Sequence, residues 1–184
     1  MRLTVLGGCG AWPGGGRPCS GYLVEHEGFR LLLDPGYGVA VPLLAMLGPG
    51  GLDAVFVSHA HPDHCADLNP ILRARALADG DFPPLQVYSQ APLPLDEHRI
   101  VDAVHDPHPV GEFETGPFRC RTVPLPHFVP NVGIRLTAGG RTLAFTGDTG
   151  PDPAVVGLAR DADVFLAEAT HLTGGSAYLT SAPE

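Results

Sequence analysis

No run of eighteen apolar residues occurs anywhere in the chain, so no segment can span a bilayer as a helix. The amino terminus, Met-Arg-Leu-Thr-Val-Leu, turns at Gly7-Gly8 before a signal-peptide hydrophobic region could form. These two absences point to a cytoplasmic protein. Cys9, Cys19, Cys65 and Cys120 contain no CxxC pair, which favours free thiols in a reducing compartment. Basic residues are scarce, 11 against 20 acidic ones, for a formal net charge of −9. Extensive nucleic-acid binding needs a basic face, and the charge balance argues against it. A nucleotide-sized substrate stays open, because bound metal ions supply positive charge locally. There is also no internal repeat and no linker. A chain of 184 residues suits one domain with one sizeable core, and a single domain over 1–184 is expected.

What the chain has in abundance is glycine and proline, 24 and 20 residues. They are dispersed among apolar segments, which predicts many tight loops rather than disorder. The longest such loop, residues 7–16, lacks the Lys-Ser/Thr ending of a phosphate-binding loop and has no helix after it. It reads as a lip beside a site. Strands are predicted over 2–6, 20–25, 29–33, 54–57, 85–88, 110–113, 118–123, 132–136, 142–146 and 164–167. Helices are predicted over 42–47, from Cys65 to about Asp79, over 96–104 and over 153–160. His98, His105 and His108 have no ligand spacing and read as solvated loop histidines, with Asp106-Pro107 marking a turn.

The chemistry concentrates in Ser58-His-Ala-His-Pro-Asp-His-Cys65, directly after the uncharged run 54–57. His59 and His61 stand two apart and project to one side of an extended segment. Asp63 and His64 follow around a strand-to-helix bend and reach a second point. One loop can therefore hold two metal ions. Cys65 adjoins the cluster, and its place at a helix start favours packing. Farther on, His127 ends a strand in Pro124-Leu-Pro-His127, and Asp148 ends another in Thr146-Gly-Asp-Thr-Gly150. A carboxylate so placed can give one oxygen to each of two ions. Asp34 closes the hairpin strand before Pro35-Gly36. By position alone it reads as a turn residue.

Taken together, HAHPDH, PLPH, TGDTG and AEATH resemble the signature of the metallo-β-lactamase superfamily, and more closely its ribonuclease Z-like branch. The resemblance implies an α+β fold, a four-layer αββα sandwich with the metal site at one edge. It implies that His59, His61 and His127 hold one ion, that Asp63 and His64 hold a second, and that Asp148 bridges both. Zn2+ is the expected metal, two per chain, with Mn2+ or Fe2+ as alternatives. Asp34 matches an aspartate that supports the metal site from behind the ligands, as an alternative to a plain turn residue, and Glu168 matches a glutamate that orients a ligand histidine, although Ala167 stands where the branch has histidine. His171, in His171-Leu-Thr173, matches a histidine that protonates the leaving group. The branch continues through a further helix to a Leu-Thr-His whose histidine completes the second metal. Residues 176–184 hold no such histidine, so the domain is expected to be incomplete at its carboxyl end, with the second site weak or completed by a partner chain in a homodimer. The implied activity is a hydrolase using a metal-held hydroxide, oriented by Asp63 and Asp148, on a phosphodiester of small or nucleotide-like size. An ester, thioester or lactone substrate is the alternative, since the same hydroxide attacks either centre. A non-catalytic metal-binding member is the third reading.

Overall fold

The computed structural model describes residues 1–95 and 104–181. Two units are distinguished by their internal contacts, Arg2–Pro109 and Val110–Glu184, the latter with Met1. The helix expected over 96–104 lies, apart from Val104, outside the described residues, as does His98.

The first unit is a six-stranded sheet in sequential order: β1 (Arg2–Gly7), β2 (Gly21–His26), β3 (Phe29–Leu33), β4 (Ala54–Val57), β5 (Leu85–Ser89) and β6 (His105–His108). β1, β2 and β3 pair antiparallel; from β3 onward the pairing is parallel. Among the described residues, two crossovers carry helices, α1 (Ala40–Leu47) after β3, and α2 (Pro62–Cys65) with α3 (Leu68–Leu77) after β4. Leu32, Val55, Val57 and Val87 of the sheet form one core with Leu43 of α1 and Leu68, Ile71 and Leu72 of α3. Ala54 and Phe56, which point the other way along β4, are fully buried as well. Burial on both faces explains why β4 is an unbroken apolar run, as in parallel strands generally.

The single helix expected from Cys65 is two helices, and the reason is tertiary. At the break, the Asp67 N–H donates to the Pro35 carbonyl, 2.9 Å, instead of continuing the helical ladder. The Asp67 carboxylate accepts from the Ala40 N–H at 2.8 Å and so starts α1. The turn after β3 is pressed against α2. A Cβ on Gly36 would lie 1.9 Å from the Asp63 carbonyl oxygen, so only glycine fits there. A second correction concerns the histidines read as solvated loop residues. His105–His108 is a strand paired with β5, and Pro107 is tolerated because β6 lies at the sheet's end. His108 stacks on Tyr88 at 4.9 Å between centroids and bonds the Asp106 carboxylate at 2.9 Å.

The second unit is a five-stranded sheet in the order β11-β10-β9-β8-β7. Its strands are β7 (Glu112–Thr115), β8 (Phe118–Leu125), β9 (Asn131–Ala138), β10 (Arg141–Phe145) and β11 (Val164–Leu166). All pairs are antiparallel except β10 with β11, which are joined by α4 (Pro153–Ala159). Asp152 caps α4 by accepting from the Ala154 N–H at 2.7 Å, with proline at the first helical position. Leu158 of α4 packs on Leu125 and Ala144. β7 begins two residues later than the strand predicted at 110. No helix among the described residues is long and apolar enough to cross a membrane.

Candidate metal centre

The first group of candidate ligands is built on one buried carboxylate. Asp34 is fully buried at the end of β3, in a left-handed conformation (φ 54°) that asparagine and aspartate tolerate better than other side chains. Its Oδ1 accepts from the Ser58 N–H at 2.8 Å; its Oδ2 accepts from the Ser58 hydroxyl at 2.8 Å and stands 2.6 Å from His64 Nδ1. The Ser20 hydroxyl adds a longer bond of 3.4 Å. Asp34 therefore bonds Ser58 and the candidate ligand His64 rather than standing in an open turn. Asp63 lies in the first turn of α2 and is not its cap.

The hydrogen-bond partners decide which nitrogen each ring presents. The Asp34 carboxylate can only accept, so His64 carries its proton on Nδ1. His64 Nε2 is then the unprotonated nitrogen, 3.5 Å from an Asp63 carboxylate oxygen. Two ligands of a tetrahedral zinc ion, each about 2.05 Å from it, are about 3.3 Å apart, so this pair has ligand spacing. The Ser58 hydroxyl spends its proton on Asp34 and accepts from His59 Nδ1 at 3.0 Å. His59 Nε2 is thereby the unprotonated nitrogen and accepts from His61 Nδ1 at 3.0 Å. His59 and His64 are buried, and their rings lie 4.2 Å apart. The Cys65 thiol belongs to the apolar core. Burial, followed by the charge of Asp34, pushes its pKa up to about 11, so it stays protonated and packs.

The second unit contributes two more candidates from separate turns. His127, past the end of β8, has a buried side chain whose Nδ1 donates to the Tyr178 carbonyl at 3.1 Å. Its Nε2 is again the lone pair, 3.9 Å from Asp148 Oδ2, beyond hydrogen-bond length. The Tyr178 carbonyl is delivered by the segment that follows β11, which Glu168 ties down. The Glu168 Oε1 accepts from the N–H groups of Thr149 (3.3 Å) and Thr180 (2.7 Å), and its Oε2 accepts from the N–H (2.9 Å) and hydroxyl (2.6 Å) of Thr170. Both oxygens are thus occupied by threonines. The expected contact of Glu168 with a ligand histidine is not made among the described residues. The His171 N–H bonds the Thr180 carbonyl at 3.2 Å, and no hydrogen bond ties its ring to His127 or Asp148.

The donors fit a divalent metal. They are imidazole nitrogens and carboxylate oxygens, and three rings already hold their proton on the far nitrogen, bound to an acceptor. This is the arrangement by which outer groups orient metal-ligating histidines. Ser58 and the Tyr178 carbonyl were not legible in advance. Ser58 looked like the residue before a motif, and a main-chain carbonyl leaves no trace in composition.

Residues 29–177 match the model of a β-lactamase superfamily domain. The chain is 28% identical over 179 residues to the probable metallo-hydrolase YhfI of Bacillus subtilis, covering 91% of this chain and 72% of that protein. It is 29% identical to the ribonuclease Z of Kineococcus radiotolerans, covering 92% and 71%. The crystal structure of YhfI, a metallo-β-lactamase fold protein, superposes with a TM-score of 0.83 at 26% identity, covering 97% of this chain and 77% of that one. The fold expected from the motifs is the fold the chain has.

Proposed function

The chain belongs to the β-lactamase superfamily, and from that membership we propose that it is a metal-dependent hydrolase acting on a phosphodiester of small or nucleotide-like size. His59, His61 and His127 hold one ion in this reading, Asp63 and His64 hold a second, and Asp148 serves both. Zinc suits the nitrogen and oxygen donors. The domain spans the whole chain, and a cytoplasmic setting agrees with its four free cysteines.

The observation that carries the reading is that His59, His64 and His127 each have Nδ1 committed to Ser58, Asp34 or the Tyr178 carbonyl, which fixes Nε2 as the unprotonated nitrogen. Rings arranged only to pack or to meet solvent have no need of one outward tautomer. Bound divalent metal lowers the pKa of water to about 7 and polarises the electrophile. The protein's part is to fix geometry. Asp63 and Asp148 would orient the attacking hydroxide and partly neutralise it, and His171 would supply the proton to the leaving oxygen. The phosphodiester reading leans on the similarity to a ribonuclease Z. The excess of acidic residues favours a substrate smaller than a folded RNA.

The test is metal content per chain after purification without chelator, followed by hydrolysis of bis-p-nitrophenyl phosphate beside a lactone. About two equivalents of zinc, with phosphodiester turnover abolished by a chelator, is the expected result. Turnover of the lactone alone would move the assignment to carboxylic esters. A folded protein without metal or affinity for it would overturn the reading.

A further inference from the structure

Asn131 opens β9 and lies between the turns that carry His127 and Asp148. It is only 2% exposed. Its Nδ2 donates to two main-chain carbonyls, Thr146 at 3.2 Å and Asp148 at 2.7 Å. Both lie just past β10, where the sheet no longer supplies partners. The carbonyl between them, on Gly147, accepts from the Thr146 hydroxyl at 2.7 Å. Gly147 takes the left-handed conformation (φ 62°) that this turn requires. All three carbonyls of the turn are therefore held by buried side chains. The Gly150 N–H donates to the Pro126 carbonyl at 2.9 Å, which joins this turn to the residue before His127.

The other end of the Asn131 amide is idle. Its Oδ1 is buried with no hydrogen-bond partner. The reverse orientation would aim that oxygen at two carbonyl oxygens, so the partners dictate the assignment. Burying an amide with an unpaired carbonyl is costly, and a residue chosen for stability alone would not carry that cost. We propose that Asn131 is a positioning residue for the metal centre. By clamping the 146–148 turn it sets the Asp148 carboxylate against His127 Nε2, and with it the affinity for metal. This rests on the metal reading given above.

The experiment titrates the apo protein with Zn2+ against a chromogenic chelator, at a temperature where every variant is folded by circular dichroism. Asn131→Ala and Asn131→Asp are expected to bind about 10–100-fold more weakly, the usual effect of removing a group that orients ligands. Leu136→Ala is the control. It removes a fully buried side chain from the same strand and is expected to lower stability while leaving affinity within about twofold. A loss with Leu136→Ala equal to that with Asn131→Ala would reduce Asn131 to a structural residue and overturn the proposal. So would wild-type affinity in Asn131→Ala. If alanine and aspartate fail to fold, Asn131→Ser serves instead, since one hydroxyl cannot reach both carbonyls. Serine binding as tightly as asparagine would likewise overturn it. Failure of the wild-type protein to bind zinc falls on the metal reading, and is thereby told apart.

Discussion

The two groups of candidate ligands solve one problem by different means. In the first unit, His59, His61, Asp63 and His64 come from a single loop, and one buried carboxylate, Asp34, organises it through Ser58 and His64. In the second, His127 and Asp148 stand on turns twenty-one residues apart. They are backed from several places: the Tyr178 carbonyl behind His127, and the Asn131 amide and the Pro126 carbonyl on the turn that carries Asp148. A local cluster can depend on one charge. A dispersed one depends on how well the intervening chain is tied.

The largest expected effect breaks the first arrangement at its centre. Asp34→Ala leaves the Ser58 N–H and hydroxyl and His64 Nδ1 without their acceptor. It should cost about 3–5 kcal/mol in urea unfolding, as removal of one partner from a buried charged network does, and should weaken zinc binding. An unchanged midpoint would show that the network is dispensable. The counterpart in the second unit is Glu168→Ala, which frees Thr149, Thr170 and Thr180 at once. Because Thr170 and Thr180 are partly solvated, a smaller loss of about 2 kcal/mol is expected. Faster amide exchange should then be confined to 168–181; exchange that quickens throughout the sheet would contradict the local tie. Ser58→Ala sharpens the comparison by cutting only the link from Asp34 to His59. We expect about 1 kcal/mol and about tenfold in zinc affinity, with the His64 tautomer unchanged by nitrogen-15 chemical shift. A shifted His64 would mean that Ser58 supports Asp34 itself.

The smallest effect is a difference in pH response. Cys120 in β8 is buried, and its thiol pKa is pushed up from 9.0 to about 12, first by burial and then by the charge of Glu114. Below pH 9 both states hold the proton and stability is insensitive to it. Above pH 9 the unfolded chain releases a proton that the folded chain keeps, so stability falls until about pH 12. Between pH 8 and 9.5 the loss from this thiol should be less than about 1 kcal/mol, and Cys120→Ala should lessen the slope while the raised thiols of Cys19 and Cys65 keep the remainder. An equal slope in the alanine variant would assign the effect elsewhere.

Much of this was legible because the first cluster is contiguous. The spacing of His59, His61, Asp63 and His64 needed only the strand before it to become a site, and 54–57 is an unambiguous apolar run. The pairing of His127 with Asp148 came from resemblance, since nothing between 127 and 148 states which turns meet. β6 was missed because His-Asp-Pro-His has no apolar alternation and becomes a strand only by pairing with β5. The helix break at Asp67 was missed because the acceptor that ends the ladder, Pro35, lies thirty-two residues back.

By itself the amino-acid sequence determined the residue types of the candidate ligands, the strands that precede them and the family, because these are written in residue type and short spacing. Tertiary structure decided what stands behind each ligand: Asp34 through Ser58, the Tyr178 carbonyl, and threonines rather than a histidine on Glu168. Those choices depend on hydrogen-bond donors and acceptors, many of them main-chain, that every residue carries alike. Only the fold selects which of them meet.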